Sequence, residues 1–165
     1  MTFINCRAER RTRKMKSSNL LLEKLKDFEG LRLEAYLDAA GVPTIGYGHT
    51  GRDVKLGDRI TRYWADDLLR RDVEAAEKAI DKLGLTLTQG QLDALVSFTF
   101  NLGIGRLAES TLLKTIREGG TMRQIRREFM RWVYAGGEKQ RGLERRRQWE
   151  ADRFFSNDGC IDGVL

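Results

Sequence analysis

The sequence predicts an α+β fold that is mostly helical, with a short antiparallel sheet near the N-terminus. Apolar residues recur every three or four positions in several segments, which is the spacing of amphipathic helices. Residues 33–38 instead alternate with a period of two, and the glycines and the proline that follow up to residue 48 are typical of a β-hairpin. The length of 165 residues suits one domain, or two small lobes that share a helix.

The first predicted helix lies directly before the hairpin. Ser18 or Asn19 is its expected N-cap, and Gly30 can end it in a left-handed conformation. Glu29 therefore falls in the last turn, beside the negative end of the helix dipole, where an ionised carboxylate is disfavoured. This position suits a proton donor. The apolar face of the helix comprises Leu21, Leu22, Leu25 and Phe28.

The predicted hairpin has one strand on each side of a turn. Asp38 closes the first strand, Gly41 and Pro43 form the turn, and residues 44–48 return as the second strand. A bulky polymer could approach the backbone closely at two positions of the returning strand, because glycine has no side chain. These positions are Gly46 and Gly48.

Helix and hairpin together bring a glutamate, an aspartate and a threonine into one short segment. A glutamate followed by an aspartate is uninformative alone, because a chain with 24 acidic residues contains such pairs by chance. The informative signal is the complete string from Glu29 through Asp38 to Thr44, Ile, Gly, Tyr, Gly and His49. Two carboxylates held apart across a cleft are the minimal apparatus for cleaving a glycosidic bond.

A long helix is predicted over residues 61–83. Thr61 is its expected N-cap, and Lys82 precedes Gly84 as a stop signal. A helix of about 22 residues spans about 33 Å, enough to connect two lobes with a groove between them. We therefore expect an N-terminal lobe (17–60), a connecting helix (61–83) and a C-terminal lobe (84–155). The inner face of the long helix should comprise Leu68, Leu69, Val73, Ala76 and Ile80.

The segment from 29 to 49 resembles the active-site region of the phage-type lysozymes, the T4-like endolysin family of glycoside hydrolases. The family pattern is Glu, eight residues, Asp, five residues, Thr, then Ile-Gly-x-Gly-His, and this chain matches it at Glu29, Asp38 and Thr44. The resemblance extends over residues 18–155. It includes the long helix, the segment 98–103 and the late segment 141–150.

The resemblance implies a lysozyme-like fold and a muramidase that hydrolyses the β-1,4 bond between N-acetylmuramic acid and N-acetylglucosamine in peptidoglycan. Glu29 would donate a proton to the leaving oxygen. Asp38 and Thr44 would hold the attacking water on the opposite face of the sugar, which inverts the anomeric centre. No metal or organic cofactor is expected.

The resemblance also implies further substrate contacts beside Gly46 and Gly48. Asn101 ends a helix that begins at Thr88, and its amide either faces the cleft or caps the helix. Trp132 either stacks on sugar or is core at the border of the groove. Arg141 matches the arginine of the family that pairs with the catalytic glutamate, which implies a contact between Arg141 and Glu29.

His49 is the only histidine of the chain. It is either a general base or a structural residue, and the resemblance brings Asp72 of the long helix beside it as a partner. If the two pair, the pKa of Asp72 is expected to fall. The pair should then stabilise the fold most between about pH 4 and 6.5.

Two other functions remain possible from the sequence. A lytic transglycosylase would use the same glutamate without a water, although the presence of both Asp38 and Thr44 favours hydrolysis. A non-catalytic module would bind wall polymer or nucleic acid. Nucleic acid is not an expected partner, because the chain has no helix-turn-helix or aromatic ribonucleoprotein signature.

Positive charge and the two chain ends form a separate group of predictions. A net charge of +6 favours adsorption to polyanions. Residues 1–16 are basic and form either an anion-binding arm or a disordered extension upstream of a start at Met15. Residues 156–165 are expected to be a tail. Cys6 and Cys160 are either free thiols or a bridge between the two ends.

The sequence contains no apolar run long enough for a membrane span and no apolar core of a signal peptide. We therefore expect synthesis in the host cytoplasm, a monomer without stable membrane association, and action on peptidoglycan after release. The resemblance implies a holin-type partner that opens the membrane.

Overall fold

The computed structural model of the protein describes residues 15–156. Their architecture is α+β and mostly helical, which confirms the predicted class. In chain order the elements are α1 (Asn19–Glu29), β1 (Arg32–Leu37), β2 (Pro43–Gly46), β3 (His49–Thr50), α2 (Arg62–Asp81), α3 (Gln89–Leu102), α4 (Ile104–Ala108), α5 (Thr111–Arg117), α6 (Met122–Phe129), β4 (Tyr134–Ala135), β5 (Glu138–Lys139) and α7 (Arg141–Phe154).

Local capping defines where the first helices begin and end. Ser18, not Asn19, caps α1, and its side-chain oxygen accepts a hydrogen bond from the Leu21 amide. Gly30 follows the last residue of α1 with φ of 70°, as predicted. Thr61 caps α2 in the same way as Ser18 caps α1. Thr88 and Gln91 form a reciprocal capping box at the start of α3.

The first sheet has the strand order β1-β2-β3 and is antiparallel throughout. The predicted second strand, residues 44–48, is divided into β2 and β3 by a turn at Tyr47 and Gly48. Of the alternating apolar residues in β1, only Ala35 is buried, whereas Leu33 and Leu37 are 43% and 52% exposed. Strand β1 therefore contributes little to the core, whereas Ile45 of β2 is buried.

The described residues form two apolar clusters of unequal size. The smaller one lies between the sheet and α2 and comprises Ala35, Ile45, Val54 and Leu68. The larger one joins α1, α2 and the C-terminal helices, and it includes Leu21 and Leu25 of α1. The predicted lobe of residues 17–60 is thus divided between two cores, with α1 packed among the C-terminal helices.

Helix α2 lies within the predicted range 61–83 and packs against both β2 and α3. Its 20 residues correspond to about 30 Å. Every residue of the predicted inner face is buried: Leu68, Leu69, Val73, Ala76 and Ile80.

A second, two-stranded sheet was not predicted. Strands β4 and β5 pair through a turn at Gly136 and Gly137, which have φ of 61° and 83°. Two consecutive positive φ values are typical of the tight turns of β-hairpins, and a Gly-Gly pair supplies them without strain. The dipeptide was therefore the available signal, but flanking strands of two residues carry too little periodicity to predict.

Several predictions concern residues outside the described range. They include Cys6, Cys160, the tail and nearly all of the basic extension. Of the extension, Lys16 lies within the described range, and its ammonium is 3.2 Å from Glu77 and 3.5 Å from Glu74 of α2. None of the helices in residues 15–156 is both long and apolar enough to cross a membrane.

Candidate active site

A pocket of about 730 Å³ lies where α1, α3 and α7 meet, and Glu29 lines it. Phe28 and Trp149 form part of its apolar wall, with their ring centroids 6.0 Å apart in an edge-to-face arrangement. We call this space the groove pocket. Its other lining residues are Lys24, Asp27, Asn101, Ala135, Gln140, Gly142, Leu143, Arg145 and Arg146.

Glu29 is held by Arg146 of α7. The Arg146 Nη1 atom donates to Glu29 Oε1 at 2.5 Å, and the Arg146 side chain is only 4% exposed. A guanidinium group has donors only, so a proton on Glu29 must reside on the other oxygen, Oε2. Oε2 lies beside Gly48, where an added Cβ would be 3.6 Å from it. The proton-bearing oxygen is thus distinct from the oxygen that binds arginine.

The predicted contact between Glu29 and Arg141 is wrong. Arg141 is the exposed first residue of α7, whereas Arg146 lies within that helix and points inward. Five residues along an α-helix correspond to a rotation of about 140° beyond a full turn, so the two side chains point in different directions. The informative signal was helical spacing, since Arg146 is three residues from both Leu143 and Trp149, which are half-buried.

The two glycines of the predicted second strand have different roles. Gly48 follows the sheet strand with φ of 87° and faces Glu29. Gly46 is buried against α2, where an added Cβ would be 3.5 Å from both Ala65 and Ile60. Its predicted contact with substrate is therefore not supported, because the missing side chain makes room for a helix.

A second pocket of about 330 Å³ is lined by Gly48, together with Thr50, Asp72 and Phe100. Gly48 does not line the groove pocket, but it faces Glu29, which does.

Asp38 and Thr44 lie at the turn between β1 and β2. The Oδ1 atom of Asp38 accepts hydrogen bonds from the Ala40 and Val42 amides, each at 2.8 Å. Thr44 is 3% exposed, and its hydroxyl donates to the Val42 carbonyl at 2.9 Å. Thr44 pairs with Tyr36 across the strands, and Asp38 follows directly after the end of β1.

Asn101 lines the groove pocket near the end of α3. Its Oδ1 atom accepts a hydrogen bond from Arg147 Nη2 at 3.0 Å. Because an arginine can only donate, this contact fixes the orientation of the amide. The amide nitrogen then offers two donors that the arginine cannot use, which is consistent with the predicted role in the cleft.

Trp132 belongs to the large core, which is one of its two predicted alternatives, and a different tryptophan lines the groove pocket. Trp132 packs edge-on against Phe98 of the large core, with ring centroids 5.4 Å apart. Trp149 lines the groove pocket. Trp149 lies in a strongly charged helical segment that resembles the family only as a whole. The sequence pattern there does not indicate that the tryptophan side chain faces the groove.

His49 pairs with Asp72, as the resemblance implies. The His49 Nδ1 atom lies 3.0 and 2.9 Å from the two carboxylate oxygens of Asp72, and Nε2 lies 3.4 Å from Asp53. The predicted fall in the pKa of Asp72 is wrong. Burial raises the pKa of Asp72, and the hydrogen bond and charge of His49 offset that effect only in part.

Replacing His49 with leucine is expected to destabilise the fold at neutral pH by about 1–3 kcal/mol, because a half-buried carboxylate loses its partner. His49 lowers the pKa of Asp72, so its removal raises the folded-state value further above the unfolded value of 3.8. A raised carboxyl pKa preserves stability below the unfolded pKa and loses it as pH rises through the folded pKa. The loss should therefore nearly vanish toward pH 3.5, as measured by urea unfolding across this range.

The matched control for this prediction is the same change in a chain that carries Asp72→Asn. There the pH-dependent part of the loss should disappear, because no carboxylate remains to titrate. An equal loss at every pH in the wild-type background would contradict the assignment. Loss of lysis in a folded His49→Leu protein would instead make the histidine catalytic.

Comparisons with known proteins agree with this geometry. Residues 26–150 match the family model described as phage lysozyme. The endolysin of Salmonella phage P22 is 38% identical over 142 residues, which cover 83% of this chain and 97% of that protein. The endolysin of Bacillus phage PZA is 43% identical over 148 residues, which cover 86% of this chain.

Solved structures give the same result. The muramidase domain of SpmX from Asticaccaulis excentricus has a TM-score of 0.78 and 37% identity, covering 86% of this chain and 98% of that one. A mutant of P22 lysozyme has a TM-score of 0.74 and 38% identity, covering 86% and 99%.

The chain spans only part of some longer relatives. It matches 56% of the length of the PZA endolysin and 52% of the endolysin of Bacillus phage B103. The match to the family model nevertheless covers most of the chain and includes the segment from Glu29 to Thr44. The chain belongs to the phage lysozyme family.

Proposed function

We propose that this chain is an endolysin-type muramidase, which hydrolyses the β-1,4 bond between N-acetylmuramic acid and N-acetylglucosamine in peptidoglycan. The observation that carries the proposal is Glu29, which lines the groove with one oxygen bound to Arg146 and the other beside Gly48. Family membership and the similarity to the muramidase domain of SpmX support it.

Glu29 acts as the general acid in this proposal. Its protonated Oε2 faces the backbone at Gly48, where no side chain blocks a glycosidic oxygen. The proton moves from Oε2 to that oxygen as the bond to the anomeric carbon breaks, and Arg146 then stabilises the carboxylate that remains. Arg146 thus stabilises the ionised Glu29 that forms when the proton is transferred.

Asp38 and Thr44 orient the water. The hydroxyl proton of Thr44 is bound to the Val42 carbonyl, so the Thr44 oxygen is free to accept a hydrogen bond from water. Asp38 accepts both of its amide hydrogen bonds through Oδ1, and within the described residues Oδ2 accepts none. A water that donates one proton to each residue directs a lone pair at the anomeric carbon, and Asp38 Oδ2 accepts the proton that the water loses as its bond to that carbon forms.

Inversion is proposed from the family pattern that the chain matches at Glu29, Asp38 and Thr44. An inverting glycosidase keeps its two carboxyl groups about 6.5–9.5 Å apart, because a water must fit between them, whereas a retaining one keeps them about 5–5.5 Å apart.

Digestion of purified peptidoglycan tests this proposal. We expect falling turbidity, new reducing ends, and initial products in the α configuration, observed by NMR before mutarotation. Initial products in the β configuration would show that the enzyme retains the anomeric configuration, which would contradict inversion. Anhydro ends would show a lytic transglycosylase, and binding without new ends would show a wall-binding module. Protein with Glu29→Gln serves as the blank.

Release to the wall is also part of the proposal. We propose that the chain acts on peptidoglycan from outside the membrane after a holin-type partner has opened it. Expression of the chain alone should leave bacterial cells intact, and added chloroform should then cause rapid lysis. Lysis by the chain alone would contradict the need for such a partner.

A further inference from the structure

A buried charged cluster lies between α7 and α3, behind the groove pocket. It contains two arginines and one glutamate of α7: Arg146 is 4% exposed, and Arg147 and Glu150 are fully buried. Burying three ionised groups is costly unless each charge is paired and hydrogen-bonded. Their arrangement therefore needs an explanation beyond the packing of two helices.

Glu150 is the anion that both arginines share. Its Oε1 atom accepts hydrogen bonds from Arg147 Nη2 at 2.9 Å and from the Ser97 hydroxyl at 2.7 Å. Arg146 Nε lies 3.4 Å from the same oxygen, and Arg147 Nε lies 2.8 Å from Oε2. Ser97 also binds Arg146 directly, through its hydroxyl and its carbonyl oxygen.

Each arginine that binds Glu150 also holds a different residue of the groove pocket. Arg146 donates to Glu29 at 2.5 Å, and Arg147 donates to Asn101 at 3.0 Å. The Glu150 carboxylate is thus linked to Glu29 through Arg146 and to Asn101 through Arg147. A change in the charge of Glu150 would therefore affect both residues of the site.

Water does not screen the charges of Arg146, Arg147 and Glu150 from one another, because all three side chains are buried. Burial lowers the pKa of Arg147 to about 10, and the nearby Arg146 contributes to that fall while Glu150 opposes it. Burial also raises the pKa of Glu150, which both arginines and Ser97 offset. Charge interactions act strongly at such a site because water does not screen them.

We propose that Glu150 is a positioning residue, which holds Arg146 and Arg147 in place and balances the positive charge that Arg146 brings to Glu29. The activity measured in its test depends on the proposed muramidase function. Without the carboxylate, the positive charge of Arg146 would act on Glu29 without compensation and would favour its ionised form more strongly.

Other charged groups around Glu29 do not replace Glu150. Within the described residues, Arg145 of α7 and Lys24 and Asp27 of α1 line the same pocket. Arg145 is exposed, and the side chains of Lys24 and Asp27 are 32% and 71% exposed, so solvent screens all three more than it screens the buried Glu150. Helix α3 contributes the neutral Asn101 there. The buried side of Arg146 therefore faces Glu150 as its compensating charge.

The test compares Glu150→Gln and Arg147→Gln in the pH dependence of kcat/KM. Removing the anion should move the alkaline limb to lower pH by about one unit, which lowers activity about tenfold on that limb. Removing the neighbouring cation should move the limb the opposite way. The double variant restores charge balance and should return toward the wild-type profile.

A merely structural role would lower the melting temperature of these variants without moving the limb, and that result would overturn the proposal. Because the two single variants shift the limb in opposite directions, either one tests the proposal if the other does not fold. Glu128→Gln is the matched control. Glu128 of α6 is 6% exposed and pairs with Arg131, and it does not line the groove pocket. Its limb should match that of the wild type.

An NMR titration of the Glu29 carboxyl gives the same comparison without substrate. Its midpoint should fall in Glu150→Gln and rise in Arg147→Gln. If the wild type cleaves no peptidoglycan but these midpoints shift as expected, the proposed function fails while this inference stands. Unshifted midpoints in an active enzyme would overturn the inference alone.

Discussion

Replacing Glu29 with glutamine is expected to abolish wall lysis, lowering turnover by about 10²–10⁴-fold. A glutamine amide cannot donate a proton of comparable acidity to a leaving oxygen. Its carbonyl oxygen can still accept the hydrogen bond that Arg146 Nη1 gives to Glu29 Oε1, so the groove should keep its shape. The melting temperature should stay within about 4 °C of the wild type, and turbidity clearance should be lost.

Asp27→Asn provides the matched control for this experiment. Asp27 lines the same pocket two residues earlier on α1, but its side chain is 71% exposed and lies 3.8 Å from Lys24. Its removal changes the local charge without removing the proposed proton donor, so most activity should remain. Wild-type turnover in purified Glu29→Gln protein, or equal losses in both variants, would contradict the role of Glu29.

The accuracy of the sequence-based predictions follows the range of the interactions involved. Helix caps at Thr61 and Thr88 depend on contacts within three residues, and both were predicted. The candidate catalytic residues lie within one segment, so their order and local elements could also be predicted. The pairing of His49 with Asp72 came from the resemblance, because nothing local joins a strand to a helix 23 residues away.

The errors concern which side of an element a residue faces. Arg141 and Arg146 belong to one arginine-rich stretch, and the inward one is determined by where α7 begins. Gly46 and Gly48 are equivalent in the sequence, but only a tertiary contact with Ala65 makes Gly46 a packing residue. The raised pKa of Asp72 likewise depends on burial by neighbours that the local pattern does not identify.

Buried ionic contacts between distant helices were missed for the same reason, and Asp93 of α3 is the strongest example. It is fully buried and joins three elements. Its carboxylate accepts hydrogen bonds from the Ser18 amide at 2.9 Å, from Gln89 at 3.0 Å, and from Arg153 Nη2 at 2.7 Å. This one carboxylate thus ties the start of α1 to α3 and α7.

Replacing Asp93 with leucine is expected to lower the free energy of unfolding by about 3–5 kcal/mol, because the largely buried Arg153 loses its carboxylate partner and the Ser18 donors lose their acceptor. For a domain of this size the melting temperature should fall by about 6–20 °C, measurable by circular dichroism.

Asp152→Leu on α7 is the matched control for the Asp93 prediction. Asp152 pairs with Arg126 at 2.6 Å, but its side chain is 55% exposed, so solvent screens the pair. Its loss should cost at most about 1 kcal/mol. Below its melting temperature, Asp93→Leu should still cleave peptidoglycan, because Asp93 has no contact with the groove pocket within the described residues. Equal melting temperatures for the two variants would mean that the buried cluster contributes no more than a surface ion pair, and the docking of α1 would then rest on Leu21 and Leu25 alone.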